Sequence, residues 1–343
     1  MTAVFAHNAP DRSAASWHER LAPFTALEFA VSDAAKGIAS ALERTARDRR
    51  PLGDATPLTR GLDLFHTARE AETVLARSWR RAEAAWLRAE TLDAEVLDLQ
   101  RRGLNAQGRG QTRTVAWRRA VALLGQVEGQ QRAWRRARGA LEPFDPDGRL
   151  NGRPRAVAEI AAACAELGGP EWTTVRSFLG DPRSTSFLDR MHGRLADAEP
   201  RAEWREALAW RWWGRHRRPS GPTAPGGELV RSVAWGRPLV GAERASYARV
   251  SAVLGSTVRA SSAVECLNSV LRMQQSRHKR MTQAMLDLKR LYWNCHAMKS
   301  GPRRDGCPYQ HLGLPLSSFA FWDLLQADPE TLTQELSGQK VAP

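Results

Sequence analysis

The run Arg259-Ala260-Ser261-Ser262-Ala263-Val264-Glu265-Cys266-Leu267-Asn268-Ser269-Val270-Leu271-Arg272 continues through Met273-Gln274-Gln275-Ser276-Arg277-His278-Lys279-Arg280. It closes on Tyr292-Trp293-Asn294-Cys295 and joins one carboxylate to a dense positive charge. Ser262 stands three residues before Glu265, the Ser-x-x-Glu spacing of a capping box, so Glu265 is expected in the first turn of a helix. Val264, Leu267 and Leu271 share a face of that helix, and a second helix is expected over 282–298 with Leu286, Leu288, Leu291 and Trp293. Asn268 lies one turn beyond Glu265 on its face, and Arg272 one turn further. Arg277, His278, Lys279 and Arg280 form a basic link, extended by Lys289 and Arg290 on the second helix. A carboxylate held beside a phosphate-binding surface points to metal-assisted chemistry on nucleic acid. The other reading of Glu265 is a helix cap alone.

Composition favours the same partner. The chain has 343 residues, 42% of them hydrophobic, enough for one large or two ordinary domains with true cores. Its formal net charge is +14, and its sequence pI is near 10.7. Arginine, the main source of that charge, contacts phosphates in bidentate fashion and stacks on bases, so a polyanion such as DNA is the expected partner. A solvated basic surface is the alternative. No uninterrupted apolar stretch is long enough to cross a bilayer, so a soluble protein without a membrane partner is expected, and with DNA as the partner no small-molecule substrate is expected. Cys164, Cys266, Cys295 and Cys307 are widely spaced and read as reduced thiols of a cytoplasmic protein. Cys295, His296, Cys307 and His311 fall close enough in sequence for a zinc site, although their spacing matches no standard module.

Before the long helical region, the chain alternates elements. Residues 13–24 have a helical pattern with Trp17 and Leu21 inward, and 26–32 alternate as a strand through Leu27, Phe29 and Val31. That strand ends at Asp33. A helix is expected over 34–47 with Ile38 and Leu42 on its face, and 60–67 reads as another strand carrying Asp63-Leu64-Phe65-His66. Taken alone, Asp33 also reads as a helix N-cap, and His66 as a structural residue at the end of a buried strand.

The run from Ser261 to Arg272, with its basic link and second helix, resembles the C-terminal catalytic segment of bacterial insertion-sequence transposases of the DDE type. These have a ribonuclease H-like fold. The resemblance implies an α/β, helix-dominated chain in which a ribonuclease H-like core is interrupted by a large all-α insertion. It implies Glu265 as the third metal-binding carboxylate and Asp33, at the end of a strand followed by small residues and a helix, as the second. Asp63 and His66 resemble the Cys-or-Asp, two residues, His element of some groups, which brings His66 near the site with Asn268 and Arg272 in support. Arg259, Arg277, His278, Lys279, Arg280, Lys289 and Arg290 would hold DNA phosphates. The implied cofactor is a pair of Mg²⁺ (or Mn²⁺) ions, and the implied reaction is phosphodiester hydrolysis at an element end, followed by attack of the freed 3′-hydroxyl on target DNA. The implied setting is a homo-oligomer on DNA in a bacterial nucleoid.

The family's first aspartate has no counterpart on a strand here, because Asp11 lies in the loop-like Asn8-Ala9-Pro10-Asp11-Arg12-Ser13. Two-metal chemistry needs several carboxylates around ions about 4 Å apart, so an N-terminally truncated copy with an incomplete core and an unpaired apolar strand edge is expected. The expected organisation is 1–67 for the first part of the core, 68–250 for the insertion, 251–300 for the catalytic helices and 301–343 for a tail. A non-catalytic DNA-binding remnant and a basic helical scaffold are the alternatives.

Within the insertion, Leu75, Trp79, Ala82, Trp86 and Ala89 repeat at alternating four and three. Trp117, Val121, Leu124 and Val127 begin a comparable run after the Gly-rich turn 103–110, which together predict a long helical hairpin. Further helices are expected over 156–167, 186–198, 202–213 and 319–326. Most of the thirteen Trp residues are expected in the core or hairpin contacts. Trp212 and Trp213, beside Arg211, Arg215, Arg217 and Arg218, are the candidates for base stacking.

Overall fold

The structure is a computed structural model that describes residues 13–24, 27–32, 36–49, 58–146, 148–217, 238–257, 282–297 and 304–337. It is helix-dominated, with two strands among the described residues. The chain forms two compact units, one of Met1–Glu19 with Ala263–Pro343 and the other of Arg20–Ser262. A short helix α1 (Ala14–Leu21) has no buried residue, and Trp17, expected inward, is exposed.

The larger unit begins with a βαβ element. Strand β1 (Phe29–Ser32) runs parallel to β2 (Thr59–Leu62), with Phe29 opposite Thr59 and Ser32 opposite Leu62, and helix α2 (Lys36–Arg49) lies between them in sequence. Ala41, Leu42 and Thr45 form the buried face of α2, and the Thr45 hydroxyl donates to the Ala41 carbonyl at 3.0 Å. A Cβ on Gly61 would stand 2.7 Å from the Phe29 ring, so only glycine lets that ring lie across β2. The Arg190 guanidinium covers the ring at 4.5 Å from its centroid and reaches Glu28 at 3.4 Å.

The strand expected over 60–67 ends early. Asp63 caps a 38-residue helix, α3 (Leu64–Arg101), its carboxylate accepting from the Phe65 N–H at 3.0 Å. A buried aspartate beside an orphan helix N–H outweighed the short apolar alternation that suggested continued strand. The hairpin expected next is present. Helix α3 is followed by α4 (Gln107–Ala140), and α4 resumes inside the Gly-rich segment expected as turn. The seam is made mostly of small side chains, with Ala71, Ala82 and Ala89 facing Ala120, Ala133 and Ala137, all nearly or fully buried. Trp86 and Trp117 meet edge to face at 4.9 Å, yet Trp86 stays partly exposed and Val121 is 58% exposed, so the inward face of α4 is rotated from the expected one. Leucine-sized seam positions would hold the helices farther apart than alanine does.

Helices α5 (Arg153–Glu166), α6 (Thr173–Leu179), α7 (Ser186–Ala198), α8 (Ala202–Arg217) and α9 (Gly241–Gly255) complete this unit. Helices α6 and α9 carry no strong apolar period in the sequence and appear only in the structure. The core gathers Trp134, Ile160, Trp172, Leu188, Leu195, Leu208 and Val250. Gly148, at φ +79°, leaves room for Trp210, because a Cβ there would overlap the indole. Trp213 stacks on Trp210 at 4.6 Å, and Trp212 stacks on Phe144 at 6.0 Å. Both are therefore core aromatics, which corrects their candidacy as a base-stacking platform. Arg211 and Arg215 both lie over the Tyr247 ring, and the side chains of Arg217 and Arg218 fall outside the described residues.

A buried carboxylate locks the α7–α8 corner to α9. Glu199 accepts from the Arg201 Nε at 2.8 Å and from Ser246, and Arg249 donates to the Ser246 hydroxyl and to the Ala198 carbonyl. The hydrogen bond from Arg201 holds the Glu199 carboxyl down at about 2.

In the smaller unit, α10 (Gln283–Cys295) starts at Thr282, whose hydroxyl accepts from the Met285 N–H at 3.3 Å. Asn294 is buried on it, whereas Leu288 is exposed. Then come α11 (Pro308–His311), α12 (Phe321–Gln326) and α13 (Pro329–Leu336), the last capped by Asp328. Cys164, Cys295 and Cys307 are free thiols, and burial, with Cys307 nearby, pushes the Cys295 thiol up to about 11. No group of three or more His, Cys, Asp or Glu among the described residues could hold a metal ion, so the Cys295, His296, Cys307 and His311 zinc set does not form. The His296 ring lies instead against Tyr292. No helix of the described residues is long and apolar enough to cross a membrane.

Two stability predictions arise from this packing. Ala89→Leu, which forces three extra carbons into a closed seam, is expected to lower stability by about 1–3 kcal/mol in urea unfolding. Glu199→Gln is expected to cost about 1–2 kcal/mol at neutral pH. Because the folded Glu199 carboxyl titrates below its unfolded value, its contribution is present above about pH 4.5 and fades as pH falls toward 2, so the difference between wild type and variant should narrow over that window.

Candidate functional site

The carboxyl ends of two parallel strands are where open α/β folds most often place ligands, since the chain leaves both strands there and loops and helix starts converge. Here Ser32 ends β1, and its carbonyl accepts from the Asp63 N–H at 2.9 Å, extending the ladder one step past β2. Asp63 is thereby held beside the end of β1. Its side chain is 1% exposed, and the backbone of α3 takes one carboxylate oxygen. The other carboxylate oxygen lies 3.5 Å from Nε2 of His66, whose side chain is 37% exposed. His66 therefore sits in the first turn of α3 rather than on a strand, one face against Phe65 at 5.8 Å between ring centroids.

The result is a histidine oriented from behind by a buried carboxylate and open to solvent in front. Such a histidine can donate a ring N–H to a phosphate oxygen at the helix start, where the N–H groups of α3 also favour negative charge. Asp33 follows Ser32 directly in the chain but lies outside the described residues, as do Arg259, Glu265, Asn268, Arg272, Arg277, His278, Lys279 and Arg280. Lys289 and Arg290 are described. Both are half-buried on α10, and Arg290 reaches Asp287 on its own helix at 3.3 Å.

A stronger concentration of charge, missed in the sequence reading, lies on α4. That helix carries eight arginines against one glutamate. Arg113 pairs with Asp93 at 3.3 Å, Arg109 with Glu95, Arg136 with Glu166 and Arg138 with Glu72. Arg118, Arg119, Arg132 and Arg135 have no ion pair among the described residues, and all four are exposed. Near the middle of the hairpin, α3 and α4 also enclose a groove of about 550 Å³ lined by Arg81, Arg88 and Arg119 but by no carboxylate. The signal was in the sequence as an eight-to-one charge ratio over one helix length. Apolar periodicity, which locates helices, does not report it.

Comparison of the chain with protein-family models, with curated proteins and with solved structures finds no match.

Replacing Asp63 by Ala removes the α3 cap and the partner of His66 together. Asp63→Ala is expected to cost about 1–2 kcal/mol in thermal or urea unfolding, whereas His66→Ala, which leaves the cap intact, should cost less than about 1 kcal/mol.

Proposed function

We propose that this chain acts on DNA as a transposase of the DDE type, with a ribonuclease H-like core that includes the βαβ element and an all-α insertion that includes the α3–α4 hairpin. The observation that carries the DNA-binding part is the set of arginines on α4 away from the groove, Arg118, Arg132 and Arg135, which are exposed and have no carboxylate partner among the described residues. Guanidinium groups spaced along a rigid helix suit the phosphates of a duplex, which supply affinity irrespective of base sequence. The catalytic part draws on the motif around Glu265 and on the position of Asp33, next in the chain after β1.

The described residues alone do not make a two-ion carboxylate site. Asp63 is committed to the α3 backbone and to His66, and the proposed ligands Asp33 and Glu265 lie outside the described residues. A divalent cation held by Asp33 and Glu265 would supply activation of the attacking oxygen and stabilisation of the leaving one. Within the described residues, the role assigned to His66 is to orient a phosphate oxygen at the α3 N-terminus, steadied by Asp63. Asp63, the buried carboxylate beside the strand ends, is taken up by the α3 backbone and His66 rather than left for a metal, which favours a second reading, a protein that binds transposon ends without cutting them.

Duplex binding followed by fluorescence anisotropy tests the shared part. Affinity should fall steeply between roughly 50 and 200 mM salt, and the combined change of Arg118, Arg132 and Arg135 to Gln should flatten the slope of log K against log salt by about 2 to 3. Nicking of element-end DNA in Mg²⁺ that Asp33→Asn and Glu265→Gln abolish, with binding in EDTA unchanged, supports the enzyme. Binding with no nicking leaves the second reading, and absence of binding at low salt defeats both.

A further inference from the structure

The arginine-lined groove of the hairpin is not explained by phosphate contacts. Its rim is Arg81, Arg88 and Arg119, all exposed and none with an ion pair among the described residues. Its floor is apolar, with buried Leu92 and half-buried Ala116 and Leu123, and Val115 stands 63% exposed at its edge. The alanine-rich seam leaves this depression, because methyl side chains do not fill the space between two helices. A sugar-phosphate backbone gains little from an apolar floor. A short amphipathic segment with carboxylates flanking an apolar anchor satisfies both parts of the groove.

The chain carries such a segment. Residues 312–337 hold four carboxylates, Asp323, Asp328, Glu330 and Glu335, and no lysine, arginine or histidine, in a protein of net charge +14. The helices within it expose large apolar side chains. Trp322 is 65% exposed, Leu336 51% and Leu325 42%. An exposed tryptophan on a segment whose only charges are carboxylates has the composition of an interface anchor, since burying an indole releases much water while the flanking charges set the register.

We propose that the groove of one copy receives the α12–α13 segment of a second copy, with Trp322 over the apolar floor and Asp323 and Glu330 facing Arg81, Arg88 and Arg119. Reciprocal exchange about a two-fold axis closes this contact into a dimer rather than an open chain. The association requires neither DNA nor metal, so it stands or falls separately from the function proposed above.

The test uses the full-length chain without DNA, by sedimentation equilibrium over a range of salt. A dimer is expected, with about tenfold or more weakening for Trp322→Ala and for the paired change Arg88→Glu with Arg119→Glu. Circular dichroism spectra and melts of each variant show whether its fold is kept. Because loss of association could follow from misfolding, a second measurement mixes the groove variant with a Glu330→Arg and Asp323→Arg variant. Each should be monomeric alone, and together they should form a heterodimer through the charge-reversed pairing. A photo-cross-linker at position 322, in a mixture of light- and heavy-isotope copies, should join residues of α12 to α3 or α4 of the other copy. A chain that stays monomeric, association indifferent to the groove charges, or cross-links confined to one copy overturns the proposal.

Discussion

The close approach of α3 and α4 through an alanine seam is the constraint on which the rest of the larger unit depends. Ala71, Ala82, Ala89, Ala120, Ala133 and Ala137 are nearly or fully buried, and their small side chains bring the two backbones together over most of a 38-residue helix. Each alanine loses little side-chain entropy on burial, so the seam holds without bulky interdigitation. What the seam does not fill becomes the arginine-lined groove. Toward its far end, Trp134, Ala137 and Ala140 of α4 are buried in the same core as residues of α5 and as Trp210.

Charge is distributed on this scaffold in a way the apolar pattern alone would not suggest. Helix α3 carries enough carboxylates to answer some of the arginines of α4, yet four of those arginines keep no ion pair among the described residues. Exposed ion pairs contribute little to stability, so the arginine excess on α4 is not explained by folding. The buried carboxylates behave differently. Glu199 and Asp63 each sit at a helix end or corner with their oxygens used, and each ties an element start to its neighbour.

Several elements were legible from local signals. The helix over 186–198 matches its expected span, the helix expected from 282 starts at Thr282, and the hairpin was evident from its seam spacing. Legibility failed where a single polar residue decided the matter. Asp63 turned an expected strand into a helix start, because capping an orphan N–H outweighs two or three residues of β pattern. It failed also at Val121, where helical periodicity was right but the choice of inward face was not, since two helices can rotate against each other without changing the period. Of the candidate site, His66, Lys289 and Arg290 have described surroundings, and of these only His66 gained a specific arrangement, through Asp63.

By itself the sequence determined a helix-dominated chain, the βαβ order before the hairpin, the strongly basic balance and the Glu265 motif, because each is carried by residue type and short-range spacing. Tertiary structure decided which side chains face inward along the hairpin, that Trp212 and Trp213 belong to the core, that His66 stands on a helix start backed by a buried carboxylate, and that three arginines from two helices share one apolar groove. These outcomes depend on residues far apart in the chain coming into van der Waals and hydrogen-bond range, and no local pattern encodes the rotation and spacing of packed helices that brings them there.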